Sequence, residues 1–295
     1  MRDSFSMWVS QPFGSFFHYK LILKKEREWF NHAYKVLAVT QQMVNDWKSV
    51  HKNIPYSKYT VIPNGFDKKI SFSDIIKKPS DKTFTIGYTG SFYYNPASRD
   101  LMFKPWYKKH LHHKLQFTPR KEDWLYRSPF FLFKTLAYLF KQKSELKNKI
   151  FIKFAGLKPD WFDEMVLSFG IEKNVEHLGF LTFEESVKFQ NRCDSLLVTS
   201  VKVINGEDYC IAGKTFDYIT FGKPILGFVT EGAQKQFLEQ SGTGIICDPD
   251  DINGSVKILK DIFDNGITLK PNKEFIEKFH RKYLTEQLSE LIYKL

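Results

Sequence analysis

Residues 213–226 read GKTFDYITFGKPIL, and this stretch decides the fold. Apolar residues at helical spacing lead to Gly222, which favours the end of a helix because glycine readily adopts the left-handed conformation found there. Pro224 then begins an apolar run that is typical of a buried strand. A helix that passes through a short turn into a buried strand is the repeating unit of a parallel α/β sheet.

The start of the same stretch has the chemistry of an anion site. Gly213 to Thr215 would open the helix, where free N–H groups and the helix dipole favour a phosphate. Lys214 adds a point charge suited to a diphosphate. Asp217 follows on the same helix face, within reach of a ribose, although a surface carboxylate beside Lys214 is the simpler alternative.

The chain from residue 84 onward repeats this alternation of short apolar runs and amphipathic stretches. The predicted strands occupy residues 84–89, 150–155, 175–178, 195–199, 224–228 and 243–247. The predicted helices occupy residues 128–141, 160–169, 182–191, 211–221, 233–240 and 252–263. The pattern indicates an α/β fold, namely a Rossmann-like doubly wound parallel sheet with helices on both faces and right-handed crossovers.

The first 80 residues follow a different pattern. They predict two helices and two short strands, at residues 24–34, 41–50, 35–40 and 59–62. So few elements look like the end of a larger domain, and we expect the strand at 36–40 to lie outside the main sheet. The polar stretch 68–82 marks a boundary. We therefore expect three parts, with a helical tail that returns towards the first: residues 1–80, 81–268 and 269–295.

Composition narrows the classes of function. A hydrophobic content of 42% is sufficient for a large core, which excludes global disorder. The net charge of +11 indicates an anionic partner, unless the basic surface is inert. The three cysteines are widely spaced and form no CxxC pair, so they predict neither a zinc ribbon nor a disulfide framework and fit a reducing cytoplasm. The sequence has no run of 18 apolar residues, and residues 1–4 do not begin a signal peptide.

Several motifs resemble glycosyltransferase family 4 and its GT-B relatives. Residues 61–67, VIPNGFD, resemble the segment that precedes the interdomain linker of that family. Residues 36–40, VLAVT, and the pair Arg2-Asp3 resemble parts of its first domain. The stretch 213–226 resembles its donor-binding helix and the following strand. The resemblance implies a GT-B C-terminal domain preceded by a truncated N-terminal domain.

The resemblance also implies a site for the donor phosphates. Residues 86–91, IGYTGS, resemble the opening of the GT-B C-terminal domain, which would bring Gly90 and Ser91 to the phosphates. An ordinary turn from strand to loop is the alternative. Relatives carry a basic pair just after this turn, and here only Arg99 is a candidate for that role.

Many relatives also carry an E-x7-E motif around the donor-binding helix. Asp217 occupies the second position, which binds the ribose, whereas the first position falls on Tyr209. Glu207 and Asp208 lie close by and would substitute through a shifted loop. Residues 200–209 follow the end of a strand, where open α/β sheets bind ligands, although a plain surface connection is equally compatible with the pattern.

Residues 101–127 form an unusually long connection in which basic and aromatic residues alternate. Phe103, Trp106 and Tyr107 are accompanied by four lysines, namely Lys104, Lys108, Lys109 and Lys114. Stacking on nucleic acid, contact with an anionic membrane face and an ordinary packed insertion all fit this composition. We favour the membrane, because enzymes that extend lipid-linked glycans work there. His110, His112 and His113 lack partners at metal-ligand spacing.

The sequence therefore predicts a glycosyltransferase that moves a sugar from a UDP- or GDP-sugar to a glycan or lipid-linked acceptor in cell-surface polysaccharide synthesis. By the resemblance, the anomeric configuration is retained. We expect Lys214, Arg99 and Glu207 to act in catalysis, and the donor-binding residues to be Gly90, Ser91, Asp208, Gly213, Thr215 and Asp217. No metal, other cofactor or nucleic acid is expected, and the location is cytoplasmic or at the inner membrane face. A non-catalytic binding remnant and a nucleotide-sugar epimerase are the alternatives.

Overall fold

The computed structural model describes residues 5–7, 12–68, 70, 74–77 and 83–294. The strands in these ranges are β1 Val36–Ala38, β2 Tyr59–Val61, β3 Ile75–Lys77, β4 Phe84–Thr89, β5 Glu122–Asp123, β6 Ile150–Ala155, β7 Val175–His177, β8 Ser195–Thr199, β9 Lys202–Val203, β10 Ile225–Phe228, β11 Gly244–Cys247 and β12 Ile267–Leu269. The α-helices are α1 Phe16–His32, α2 Gln41–Val50, α3 Pro96–Phe103, α4 Leu111–Lys114, α5 Phe130–Gln142, α6 Phe162–Phe169, α7 Phe183–Arg192, α8 Gly213–Ile219, α9 Ala233–Ser241, α10 Ile252–Asn265, α11 Lys273–Glu277 and α12 Arg281–Tyr293. Short 3-10 turns lie at Tyr56–Lys58, Trp106–Lys108, Trp124–Arg127, Ser144–Asn148 and Glu172–Asn174.

A six-stranded parallel sheet forms the centre of the fold. Its strand order is β11-β10-β8-β4-β6-β7. The chain enters at the central strand β4, runs outward through β6 and β7, and returns to the other side of β4 at β8. The pairing of β4 with β6 runs from Phe84 opposite Ile150 to Thr89 opposite Ala155. The predicted doubly wound α/β fold is confirmed, and each of the six predicted strands is present to within a residue or two.

Helices cover both faces of this sheet because its strands are apolar on both sides. Ile86, Ile152 and Leu197 pack on the face covered by α5, α6 and α10. Leu196, Val198 and Ile225 pack on the opposite face, which α7, α8 and α9 cover. Burial on both faces explains why these strands read as continuous apolar runs.

The first segment packs as a unit outside the sheet. Strands β1 and β2 pair in parallel with each other and not with the central sheet, as expected for residues 36–40. Helices α1 and α2 pack around the fully buried Trp47. Helix α1 begins at Phe16, eight residues before the predicted start at residue 24, with Ser15 as its N-cap. The pair Arg2-Asp3 lies outside the described residues.

The chain end returns to this first segment. The Phe66 N–H donates to the Phe279 carbonyl over 3.1 Å, and the Arg281 N–H donates to the Phe66 carbonyl over 2.9 Å. Gly65 is required at this crossing, because a Cβ atom there would lie 2.1 Å from the Phe279 carbonyl oxygen. These contacts place the start of the final helix beside Phe66. The division into residues 1–80, 81–268 and 269–295 stays a prediction, and much of the boundary at 68–82 lies outside the described residues.

Two features of the fold were not predicted. Strand β3 lies within the polar stretch 68–82 and pairs antiparallel with β12. The long connection 101–127 is built from α3, α4, two 3-10 turns and the short strand β5, which pairs antiparallel with β9. Among the described residues, no helix has both the length and the apolar character needed to cross a bilayer.

Candidate functional site at the switch point of the sheet

The strand order creates a crevice between β4 and β8. The chain leaves these neighbouring strands in opposite directions, and ligands of open α/β sheets bind at such a switch point, beyond the carboxyl ends of the strands. A cavity of about 190 Å³ lies there. Its lining includes Gly90, Ser91, Thr199, Gly213 and Lys214. The structure therefore brings four of the predicted site residues together: Gly90, Ser91, Gly213 and Lys214.

The turn after β4 lets the backbone approach this cavity closely. Gly90 has a φ of 110°, a conformation that side chains disfavour. The Gly90 N–H donates to the Ala155 carbonyl over 2.8 Å. A Cβ atom on Gly156 would lie 2.4 Å from the Gly90 carbonyl oxygen, so two glycines are needed where the turns after β4 and β6 meet. The result is an uncovered stretch of backbone at the edge of the crevice.

Lys214 projects over this turn from the first turn of α8. Its Nζ atom lies 3.6 Å from the ring centroid of Tyr88, and a Cβ atom on Gly90 would lie 3.0 Å from it. Burial lowers the pKa of Lys214 well below its ordinary value, and the positive charge of Arg127 lowers it further. An anion in the crevice would offset both effects, because it favours the charged ammonium group.

Arg127 is the second cation of the crevice, and sequence reasoning missed it. It ends the 3-10 turn before α5 and lines both this cavity and its neighbour. Its guanidinium carbon lies 5.4 Å from the ring centroid of Trp124 and 5.8 Å from that of Tyr93. The signal available in the sequence was its position as the last residue of the long insertion and the last cation before α5.

A second cavity of about 540 Å³ adjoins the first, because Tyr93, Arg127, Ala212 and Gly213 line both. It lies between the first segment and the central-sheet domain. Its lining includes Thr40 and Asn64 from the first segment, Arg99 from α3, Glu122 from the insertion, and Asp208 and Tyr209 from the loop after β8. The crevice at the sheet therefore opens into a wider cleft that polar groups of both parts line.

Arg99 lines the wider cleft, but its charge is already paired. Its Nε and Nη2 atoms each donate to a carboxylate oxygen of Asp123 over 2.7 Å. The insertion folds back on α3 and so presents Asp123 to this guanidinium. Arg127, rather than Arg99, is the cation that faces Lys214.

Asp208 is fully buried and holds the loop after β8. Its carboxylate accepts the Cys210 N–H over 2.9 Å and the Val201 N–H over 3.3 Å. Burial raises its pKa, against the lowering effect of Arg127. Glu207, in contrast, is exposed and lines neither cavity. The loop 200–209 is therefore not shifted in the way that would bring Glu207 into the site, and the catalytic role of Glu207 stays a prediction.

Thr215 and Asp217 lie away from the crevice. The Thr215 hydroxyl is buried and donates to Oε1 of Gln234 over 3.0 Å. Asp217 lines neither cavity. Its side chain is partly exposed, and desolvation of the covered part raises the pKa of its carboxylate, against the lowering charges of Lys68 and Arg281. Lys214 reaches back to Gly90, whereas the Asp217 carboxylate lies near Lys68 and Arg281, so the two side chains do not line the same cavity. The contact of Asp217 with the ribose stays a prediction.

The strand order and the helices on both faces define a Rossmann-like α/β domain with a crevice at its switch point. The chain belongs to the family "Glycosyl transferases group 1", whose model matches residues 110–281. An uncharacterized glycosyltransferase of Haemophilus influenzae is 28% identical over 140 residues, which are 44% of this chain and 39% of that protein.

Solved structures show the same fold. The lipopolysaccharide outer core galactosyltransferase WaaB, in its apo form, has a TM-score of 0.58 at 15% identity, over 92% of this chain and 66% of that chain. The pneumococcal O-GlcNAc transferase GtfA, solved with UDP and GlcNAc, has a TM-score of 0.55 at 13% identity, over 93% of this chain and 47% of that chain. The chain spans about two thirds or less of these proteins.

Proposed function

We propose that the switch-point crevice binds the diphosphate of a nucleotide sugar, and that the protein transfers the sugar to a glycan or lipid-linked acceptor in cell-surface polysaccharide synthesis. The observation that carries this proposal is the convergence of Lys214 and Arg127 beside the Gly90 turn. Among the described residues, neither cation has a carboxylate oxygen within ion-pair distance. Two cations without an ion-paired carboxylate, beside open backbone, form a site for an anion with several negative oxygens.

The same groups suit the chemistry of sugar transfer. The nucleoside diphosphate gains negative charge as it leaves the sugar, and fixed cations and backbone dipoles stabilise that charge without a metal. We assign Lys214 and Arg127 to this role. The contact of Asp217 with the ribose remains a proposal, although Asp217 lies outside the crevice. The catalytic roles of Glu207 and Arg99 also stay predictions. Retention of anomeric configuration is inferred from the family resemblance.

The wider cleft is the proposed acceptor side. It joins the crevice at Arg127 and is lined by the aromatic side chains of Tyr93, Trp124 and Tyr209 together with polar groups. Aromatic faces and hydrogen-bonding groups together suit a sugar ring, which has apolar faces and polar edges. WaaB is a lipopolysaccharide outer core galactosyltransferase, and GtfA was solved with UDP and GlcNAc, so both relatives support a UDP-sugar donor and a surface glycan acceptor. We propose a cytoplasmic location, since nucleotide sugars and free thiols are kept there.

Calorimetry with UDP and with GDP tests the donor site. Lys214→Met should weaken binding about 10- to 150-fold, since a hydrogen bond to a charged group contributes about 1.5–3 kcal/mol. Lys188→Met is the matched control, because Lys188 is an exposed lysine on α7 and the substitution removes the same charge. Equal affinity in both variants would contradict the assignment.

Proton uptake gives an independent readout of the same site. Because the Lys214 pKa is lowered in the free protein, a bound diphosphate should raise it and draw a proton from the buffer. Affinity should therefore fall as pH rises through the window between the free and bound pKa values, and Lys214→Met should abolish this dependence.

Nucleotide-sugar binding without release of free nucleotide in the presence of acceptor lipids would favour the non-catalytic alternative.

A further inference from the structure

We infer that residues 104–115, called the basic tip below, bind peripherally to the surface of an anionic lipid bilayer. The basic tip consists of the 3-10 turn Trp106–Lys108 and helix α4, with the residues around them. Lipid binding by this surface does not require the donor site. Its use, which is to hold the cleft near a lipid-linked acceptor, rests on the proposed function.

The basic tip exposes large apolar side chains that a folded domain normally covers. The exposed fractions are 70% for Trp106, 61% for Tyr107, 81% for Leu111 and 75% for Leu115. These side chains are not at a chain end or on a frayed segment. Backbone hydrogen bonds from Lys109 to Trp106 and from His113 to His110 fix both short turns. The exposure is thus a property of the folded surface.

The charges around these side chains have a single sign. No acidic residue occurs between Asp100 and Glu122, whereas that interval holds five lysines and Arg120. Lys104, Lys108 and Lys114 are exposed beside the apolar residues. Apolar side chains surrounded by lysines match the interface of an anionic bilayer, where rings and aliphatic groups enter the headgroup region and ammonium groups meet lipid phosphates. Single-stranded nucleic acid fits less well, because Leu111 and Leu115 offer bases no flat surface for stacking.

The base of the insertion is anchored, so the basic tip projects from a fixed support. Phe13 and Phe117 exchange two backbone hydrogen bonds of 2.8 and 2.9 Å, and the Phe117 ring lies 4.8 Å from that of Tyr19. Arg120 forms ion pairs of 2.7 Å with Asp46 and 2.6 Å with Glu122. The anchored part also lines the wider cleft through Glu122 and Trp124. A tip bound to a bilayer would therefore place the mouth of this cleft close to the lipid surface.

Sedimentation with vesicles tests the inference on the full chain. Vesicles of phosphatidylcholine with phosphatidylglycerol should pellet the protein at 0.15 M salt, and vesicles of phosphatidylcholine alone should not. Lys108→Ser/Lys114→Ser should weaken binding about 25-fold, because each lysine near an anionic surface contributes about fivefold. Trp106→Ser/Leu111→Ser should weaken it about tenfold or more, because apolar burial is lost.

The control removes exposed aromatic surface elsewhere. Phe180 and Phe183 are 82% and 80% exposed beside Glu184 and Glu185, so Phe180→Ser/Phe183→Ser should bind vesicles like the parent. UDP or GDP affinity should be the same in all these proteins, which separates failure of the surface from failure of the donor site. The inference would be overturned if the protein bound both kinds of vesicle equally or bound neither. It would also be overturned if the tip variants bound vesicles like the parent, or if the basic tip formed a dimer or an oligonucleotide complex in place of binding vesicles.

Discussion

Tyr218 supports the Gly90 turn from beneath, and its hydroxyl can be removed with little change of shape. It is fully buried in α8, one residue after Asp217. Its hydroxyl accepts the Thr89 N–H over 2.9 Å and lies 3.1 Å from the Thr89 hydroxyl. Burial raises the pKa of Tyr218 to about 12, so the phenol is neutral at physiological pH and can also donate. Thr89 directly precedes Gly90, so this contact fixes the end of β4 at the crevice.

The cost of Tyr218→Phe follows from these contacts. Phenylalanine fills the same space, so no cavity forms, but the Thr89 N–H loses its partner. A buried donor left unpaired costs about 1–3 kcal/mol, and we expect the free energy of unfolding to fall by about that amount. The Gly90 turn should also loosen, so UDP or GDP affinity should fall. Tyr293→Phe, at a 90% exposed site, should change neither quantity.

A double-mutant cycle with Thr89→Val separates the two bonds to Tyr218. Thr89→Val removes the side-chain hydroxyl and keeps the backbone N–H, so its cost should be smaller than that of Tyr218→Phe. In the Tyr218→Phe background, Thr89→Val should cost less than in the parent, because the shared partner is gone. Urea denaturation measures these free energies. A Tyr218→Phe protein with parental stability and parental nucleotide affinity would refute the reasoning.

Three further substitutions test other parts of the account. Gly90→Ala should lower the free energy of unfolding by about 1–3 kcal/mol, because Gly90 has a positive φ, and it should also abolish UDP or GDP binding. Gly170→Ala is the control, at a φ of 64° with open space around it: it should lower stability in denaturation but leave nucleotide affinity in calorimetry unchanged. Burial raises the pKa of Glu122 from 4.5 to about 7. Between these two pKa values the folded state binds more protons than the unfolded state, so the free energy of unfolding should fall as the pH rises from about 4.5 to about 7. At about 1.4 kcal/mol per pH unit this loss approaches about 3 kcal/mol, and Glu122→Gln should flatten it in denaturation curves taken from pH 4 to 8. Asp217→Ala should weaken nucleotide-sugar binding without unfolding the domain, and unchanged calorimetric affinity would reject its ribose role.

The fold was predictable because the decisive elements are local and strongly patterned. The stretch 213–226 combines a helix, the Gly222 stop and the Pro224 start, and the structure has α8 and β10 at these positions. The apolar strand 195–199 is buried at every position, so its pattern had a single interpretation. Strands β3, β5, β9 and β12 were not predicted, because each has only two or three residues and forms by pairing with a strand that is distant in the sequence.

The candidate site was predictable only where the chemistry sits on these patterned elements. Lys214 and Gly90 belong to a helix start and a strand end, which the sheet topology brings together. Arg127 was missed because a long insertion separates it from the Gly90 turn, and only the folded insertion returns it to the crevice. Glu207 and Asp217 were chosen from spacing along the chain, which does not determine where a loop or a short side chain points.

The insertion shows how exposure and composition must be taken together. Contact with a membrane face, which the sequence favoured, requires Trp106 and Tyr107 to be exposed beside lysines, and both side chains are exposed. Their function is not determined by exposure alone, and contact with a bilayer stays a proposal. The vesicle comparison is therefore the decisive experiment for this part of the surface.

The central claim is that Lys214 and Arg127 hold the diphosphate of a nucleotide at the switch point of the sheet. A crystal structure of the chain with UDP or GDP, whichever binds more tightly in calorimetry, tests it most directly. We predict diphosphate oxygens about 3 Å from Lys214 Nζ and from the Arg127 guanidinium, with the Gly90 turn against them. A diphosphate bound elsewhere on the chain, with Lys214 still stacked on the ring of Tyr88, would contradict the account.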